Sequence, residues 1–212
     1  MELIDLMPSV GKLIPYGYAK IKNTESERII NGSLRNLRAV EKPLFKQISG
    51  IPGSGKTLLS QMHRGDNYLY VSFDMIMEQL GGYRQDLEVL GAAKAFENWE
   101  IFARVAGYEL LRRAVAKRLN IVLEHSGVNA AHVELFKKLK ELGYTTEINF
   151  TRCDAELAHT RVAEREKIAK RHTPRHLIEE RAAALEEYMA VYQGIADKVR
   201  IFDTCGEAPV EI

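Results

Sequence analysis

The residues best arranged for chemistry are Gly50-Ile51-Pro52-Gly53-Ser54-Gly55-Lys56-Thr57, a complete G-x-x-x-x-G-K-[ST] run. Its glycines permit backbone angles that bulkier residues resist. Successive N–H groups can then turn inward and cradle phosphate oxygens at the start of a helix. Lys56 is spaced to reach the β- and γ-phosphates of a nucleoside triphosphate, and the Thr57 hydroxyl to take a place on Mg²⁺. The run predicts binding of Mg²⁺ with ATP or GTP. No Asn-Lys-x-Asp guanine-reading motif is present, and the chain that follows is too short for most motor modules with extra subdomains. A small kinase is the better expectation, and it needs an acceptor-side base, an acid near the metal and a mobile cationic lid.

Each has a candidate. Asp74 directly follows the strand-like run Tyr68 to Phe73, where the C-terminal end of a parallel strand faces a ligand crevice. A carboxylate there can accept the proton of a hydroxyl attacking the γ-phosphate, and the same residue also suits the N-cap of the next helix. Glu124 ends the apolar strand Ile121-Val122-Leu123, a position suited to holding Mg²⁺ through water or binding substrate, with Ser126 two residues on. Glu97, Glu100 and Glu109 lie on the long helix before it, and at least one could line a substrate cleft. Between Arg161 and Arg181 stand seven Lys or Arg against four Glu. Arg161 and Arg165 share one helix face, and Arg171 and Arg175 flank the break at Thr173-Pro174. Guanidinium forks suit phosphate oxygens, so the set reads as a lid that neutralises charge on a transferring phosphoryl group. His132, His159, His172 and His176 have no spacing that forces a metal and read as surface or packing residues.

The elements that must position these residues alternate. Strands are expected at Leu44–Ser49, Tyr68–Phe73, Asn120–Glu124, Thr145–Phe150 and Val199–Phe202. Helices are expected over Lys56–Arg64, Asp74–Leu80 (closed by Gly81-Gly82), Ala92–Arg118 and Asn129–Gly143. Two more run from Asp154 to about Arg171 and onward from Thr173-Pro174. Lys46 and Gln47 are unusual for a buried strand. Strand alternating with helix argues for an α/β three-layer fold around a mostly parallel sheet of about five strands, with an Arg-rich helical lid. Residues 1–43 read as a helical, packed N-terminal extension and residues 44–212 as the kinase domain. Of the 212 residues, 46% are hydrophobic and 28% charged, enough to bury a core without disulfides. The net charge of +1 disfavours a nucleic-acid backbone binder. No apolar run reaches the roughly 18 residues of a membrane span. An N-terminus without a basic stretch, and two isolated cysteines, Cys153 and Cys205, predict a cytoplasmic protein.

The region from Gly50 to about Asp203, roughly three quarters of the chain, resembles the zeta-toxin family of P-loop kinases. The resemblance is carried by GIPGSGKT, YVSFDMIMEQL, YELLRRAVAKRLNIVLEHSG, ELFKKLKELGYTTEINF, and ELAHTRVAEREK leading to RHTP. It implies a kinase that phosphorylates the 3′-hydroxyl of the sugar in UDP-N-acetylglucosamine with ATP or GTP, which traps a cell-wall precursor. It also implies an antitoxin protein that blocks the nucleotide site. Carried over by position, Lys56 and Thr57 match phosphate and Mg²⁺ contacts, and Asp74 matches the base. Glu109, through a one-residue gap, matches a sugar-nucleotide contact together with Glu124 and Ser126. Arg171 matches a lid arginine, and the second is Arg161 or Arg165. The chain has His125-Ser126 where the family commonly has Gly-Thr, and its lid is shorter. Those departures leave the acceptor open, with a polynucleotide 5′-hydroxyl, another small-molecule alcohol, or a nucleotide-dependent binding module as alternatives.

Overall fold

A computed structural model of the chain describes residues 1–11, 24–63 and 65–212. Five strands run parallel: β1 Leu44–Ser49, β2 Tyr68–Ser72, β3 Asn120–Glu124, β4 Thr145–Arg152 and β5 Lys198–Asp203. A sixth, β6 Val210–Glu211, pairs antiparallel with β5, giving the order β2-β3-β1-β4-β5-β6. This short edge strand was not expected, since two residues carry no periodicity to read.

The helices are α1 Leu3–Leu6, α2 Pro8–Gly11, α3 Thr24–Ser33, α4 Lys56–Met62, α5 Phe73–Gln79, α6 Gly81–Val89 and α7 Ala92–Ala116. They continue with α8 Ala130–Glu141, α9 Ala155–Ala169 and α10 Arg175–Gln193. Asn129 and Asp154 cap α8 and α9 with their side chains, as their types favour. Gly81-Gly82 does not end helical structure. Leu80 breaks the chain with extended angles and the glycines open α6, where Trp99 packs so close to Gly82 that a Cβ would lie 2.1 Å from its ring. The predicted end of α4 at Arg64 falls outside the described residues, and the described helix stops at Met62.

Side chains alternate across the strands, so the sheet has two unequal faces. Phe45, Leu69, Val71, Ile121, Leu123, Ile148 and Phe150 join the main core with residues of α3, α7, α8 and α10. Ile48, Val122 and Phe202 face the other way, where Leu59 of α4 covers them. Lys46 and Gln47 explain themselves on this plan. Lys46 lies toward the α4 face, 3.5 Å from Glu147 and 3.2 Å from His63 Nδ1. Gln47 is wholly buried on the opposite face, where its Oε1 meets His132 Nδ1 at 2.7 Å.

The described part of residues 1–43 is helical and buries Leu3, Leu6, Met7, Val10, Ile29, Ile30 and Leu34 in the main core. Residues 12–23 lie outside the described set. Among the described residues, no helix is long and apolar enough to cross a membrane.

Candidate active site

The phosphate loop connects β1 to α4. Gly50 has φ 144° and Gly53 has φ 83°, both in a region that residues with side chains rarely adopt. A Cβ on Gly53 would also sit 2.3 Å from the Ala158 carbonyl oxygen, so glycine is required there by contact as well. Ser54 is buried behind the loop. Its hydroxyl donates to Ile51 O at 2.7 Å and meets Thr151 Oγ1 at 2.6 Å, which ties the loop to β4. Lys56 Nζ donates to Gly50 O at 3.1 Å and to Ile51 O at 2.7 Å, so its stem folds back over the loop. Burial lowers its pKa to about 8, with Glu124 opposing.

Thr57 Oγ1 donates to Glu124 Oε1 at 2.9 Å, bringing together the hydroxyl and the strand-end carboxylate. Tyr70 and Ser60 hold the other carboxylate oxygen. Among the described residues no group of three or more His, Cys, Asp or Glu could hold a metal alone. The donor set fits Mg²⁺ nonetheless, because that ion takes oxygen ligands and is usually held by one or two protein groups plus substrate phosphates and waters.

Asp74 stands in the first turn of α5, right after β2. The N-cap is Ser72, so Asp74 is free of that duty. Its Oδ2 accepts a hydrogen bond from Arg171 Nη2, and Glu78 lies 3.8 Å from the same guanidinium. Arg171 follows α9 in the short link that ends at Pro174. Arg165 Nη2 donates to Thr173 Oγ1 at 2.7 Å and braces that link. Among the described residues the buried Nε atoms of Arg165 and Arg171 have no hydrogen-bond partner, and both residues line the cleft. Arg161 behaves differently. It donates to Thr204 O at 2.8 Å and Cys205 O at 3.1 Å, and borders a separate hollow with Gly55, Leu58 and Pro209.

One cleft gathers Pro52, Gly53, Gly55, Lys56, Thr57, Asp74, Glu124, Ser126, Arg161, Arg165 and Arg171. Gly50, Ile51 and Ser54 form the back of the loop rather than its lining. Glu109 is the exception among the predicted site residues. It is buried away from the cleft and held by Arg112 and Arg113, the latter also bonded to Glu27 of α3. Glu100, nine residues earlier, lines the cleft instead. At about 100° per residue, nine residues turn roughly 900°, which puts the two glutamates on opposite faces of α7. Reading the helix for phase as well as for acid type would have separated them.

Arg104, His125 and Arg181 also line the cleft and were not singled out from sequence. His125 stacks on the buried His132 with ring centres 3.7 Å apart, and Gly127 N–H donates to its Nδ1 at 3.1 Å. Burial holds His125 well below the ordinary imidazole range, and His132 is lowered to about 3 by burial with Arg104 adding to it. Burial thus favours the neutral form of both rings, and His132 is wholly buried as a packing residue.

A family model for zeta toxin matches residues 29–210, which include every one of these cleft residues. The chain belongs to the zeta toxin family. Membership, with the parallel sheet and phosphate loop, makes it a P-loop phosphotransferase. Among solved structures, one from the PezAT chromosomal toxin–antitoxin system of Streptococcus pneumoniae superposes with a TM-score of 0.71 at 15% identity. That match spans 89% of this chain and 80% of the other. A chain of the AvrRxo1-ORF1:-ORF2 complex with ATP gives a TM-score of 0.57 at 15% identity, over 97% of this chain and 67% of the other. At such identities the likeness is one of fold. No curated protein matches the chain.

Proposed function

We propose that this zeta toxin family member transfers the γ-phosphate of ATP or GTP to a sugar hydroxyl of UDP-N-acetylglucosamine or a related nucleotide sugar. The observation that carries the reading is Asp74 facing the phosphate loop across one cleft, a single hydrogen bond from the lid residue Arg171. Loop N–H groups and Lys56 hold the triphosphate, and the hollow beside Gly55 and Arg161 takes the base. Thr57, with Glu124 behind it, would hold Mg²⁺, which when bound neutralises phosphate charge. Asp74 takes the proton of the acceptor hydroxyl as that oxygen forms its bond to the γ-phosphorus. The bond from that phosphorus to the β–γ bridging oxygen breaks, and the nucleoside diphosphate leaves with the electron pair. Arg165 and Arg171 support the negative charge on the transferring group. Of the two candidates for the second lid arginine, Arg165 is favoured, since Arg161 is engaged by backbone carbonyls. Glu100 and Ser126, which line the same cleft, would meet acceptor hydroxyls, while Glu124, with its oxygens held by Thr57, Tyr70 and Ser60, would serve the metal side.

Family membership supports a further reading, that the reaction depletes a cell-wall precursor inside the cell and that an antitoxin protein covers the nucleotide site. A toxin–antitoxin system among the structural relatives is in keeping with it.

The test is phosphoryl transfer from γ-labelled ATP with Mg²⁺, offered UDP-N-acetylglucosamine or a 5′-hydroxyl oligonucleotide in separate reactions. Label should appear on the sugar nucleotide and fall by about 10²–10⁴-fold in Asp74→Asn, with ATP affinity kept. Label on the oligonucleotide alone, or undiminished transfer by Asp74→Asn, would sink the reading.

A further inference from the structure

Thr57 and Glu124 line the cleft, and a phenol outside that lining supports them. Tyr70 stands in the middle of β2, in parallel register with Val122 of β3, while Ser72 pairs with Glu124. Side chains two residues apart share a sheet face, so Tyr70, Val122 and Glu124 all turn to the α4 side. There Tyr70 packs against the cluster of Ile48, Leu59, Val122 and Phe202. Its hydroxyl reaches along the strands and donates to Glu124 Oε2. Thr57 and Ser60 lie one turn apart on the same face of α4. Thr57 Oγ1 donates to Oε1 of the same carboxylate at 2.9 Å. Ser60 Oγ is 3.4 Å from Oε2 but only 2.9 Å from Thr57 O.

A hydroxyl has one proton and must choose a direction for it. Ser60 offers its proton most closely to Thr57 O, so Tyr70 is the principal donor to Oε2. Thr57 can meet a cation only through its oxygen lone pairs, so another group has to take its proton. Glu124 Oε1 takes it and leaves those lone pairs to the metal side. Glutamate has three rotatable side-chain bonds, and it does this work only while the carboxylate is held in one orientation. The phenol holds the second oxygen while the first meets Thr57. The contacts thus run in series from Tyr70 to Glu124 to Thr57.

We propose that Tyr70 is a positioning residue for the metal: it fixes the Glu124 carboxylate, which in turn orients the Thr57 hydroxyl toward Mg²⁺. This rests on the reading that Thr57 and Glu124 hold Mg²⁺ with the nucleotide. Tyr70 acts through Glu124 and does not itself meet the ion. A phenylalanine in its place would pack alike but leave Oε2 with only the longer Ser60 contact, so the carboxylate and the Thr57 proton would lose their single orientation. β2 then has two duties in the reaction. It carries the metal-positioning phenol at its centre, and it sets Asp74 just past its end.

The experiment titrates Mn²⁺ into the full chain complexed with a non-hydrolysable ATP analogue and counts the free ion by paramagnetic resonance. Mn²⁺ shares the preference of Mg²⁺ for oxygen ligands. The wild-type complex should hold Mn²⁺ more tightly than the free analogue does. Tyr70→Phe, which removes one hydroxyl and keeps the ring, should weaken that affinity by about tenfold to a hundredfold, the range for losing a partner of a metal-side ligand. Its affinity for the analogue in excess chelator should match wild type. Glu124→Gln should weaken Mn²⁺ binding as well, and Tyr70→Phe combined with Glu124→Gln should lose no more than Glu124→Gln alone, because the phenol acts through that carboxylate. Tyr70→Phe that binds Mn²⁺ like wild type would overturn the role of Tyr70 while leaving the metal seat in place. Additive losses in the double variant would make Tyr70 a packing residue and overturn it too. So would an equal fall in analogue affinity under chelator, which marks general damage to the phosphate loop. A wild-type complex that holds Mn²⁺ no better than the free analogue would remove the metal seat itself, and the role of Tyr70 with it.

Discussion

Lys56 concentrates the electrostatics of the site in one side chain. Burial lowers its pKa to about 8, so its charge is within reach of mild alkali. A bound polyphosphate favours the ammonium form, so affinity depends on the protonated state. MgATP affinity should therefore hold up to about neutral pH and decline as pH rises through roughly 8. Lys56→Arg, which cannot lose its proton in that range, should flatten the decline; titrations at several pH values would decide it. The lid arginines make a different prediction. Each has a buried Nε without a hydrogen-bond partner among the described residues and lines the same cleft as Lys56 and Thr57. Arg165→Ala and Arg171→Ala should lower kcat more than they lower ATP affinity, because the charge they meet grows in the transition state. Equal losses in both quantities would remove the lid role.

At the scale of the element, α7 divides its acids between two tasks. Glu109 is buried under Arg112 and Arg113 and, through Arg113, meets Glu27 of α3. Glu100 is on the opposite face, in the cleft. Glu109→Gln should cost about 1–3 kcal/mol of stability in denaturant unfolding, as expected for weakening hydrogen bonds to a charged group, with acceptor KM unchanged. Glu100→Gln should raise acceptor KM and leave the unfolding midpoint alone. The reverse pattern would restore Glu109 to the site. The phosphate loop and α9 meet at a close backbone approach that a side chain on Gly53 would invade. The phosphate loop therefore packs directly on the backbone of α9, the helix that carries Arg161 and Arg165.

On the scale of the whole molecule, the described N-terminal helices are part of the core rather than an ornament. Leu6 and Met7 are fully buried among residues of the main cluster. Leu6→Ala should cost about 2–5 kcal/mol, seen as a lower melting temperature, while kcat per folded molecule stays the same. A melting temperature unchanged by that substitution would make the extension a loosely held appendage.

The phosphate loop, the strand-end position of Asp74 and the alternation of strands with helices were legible in the sequence because local spacing determines them. A G-x-x-x-x-G-K-[ST] run, a carboxylate after an apolar strand and a capping Asn129 or Asp154 act within a few residues of where they stand. Tertiary structure alone brought Arg161 and Arg165 both to the cleft and engaged Arg161 with the carbonyls of Thr204 and Cys205. It likewise decided which of the two faces of α7, the one with Glu100 or the one with Glu109, turns to the cleft. Those outcomes depend on helix phase and on how distant helices pack over one sheet face, so they arise from long-range burial that no short window of sequence contains.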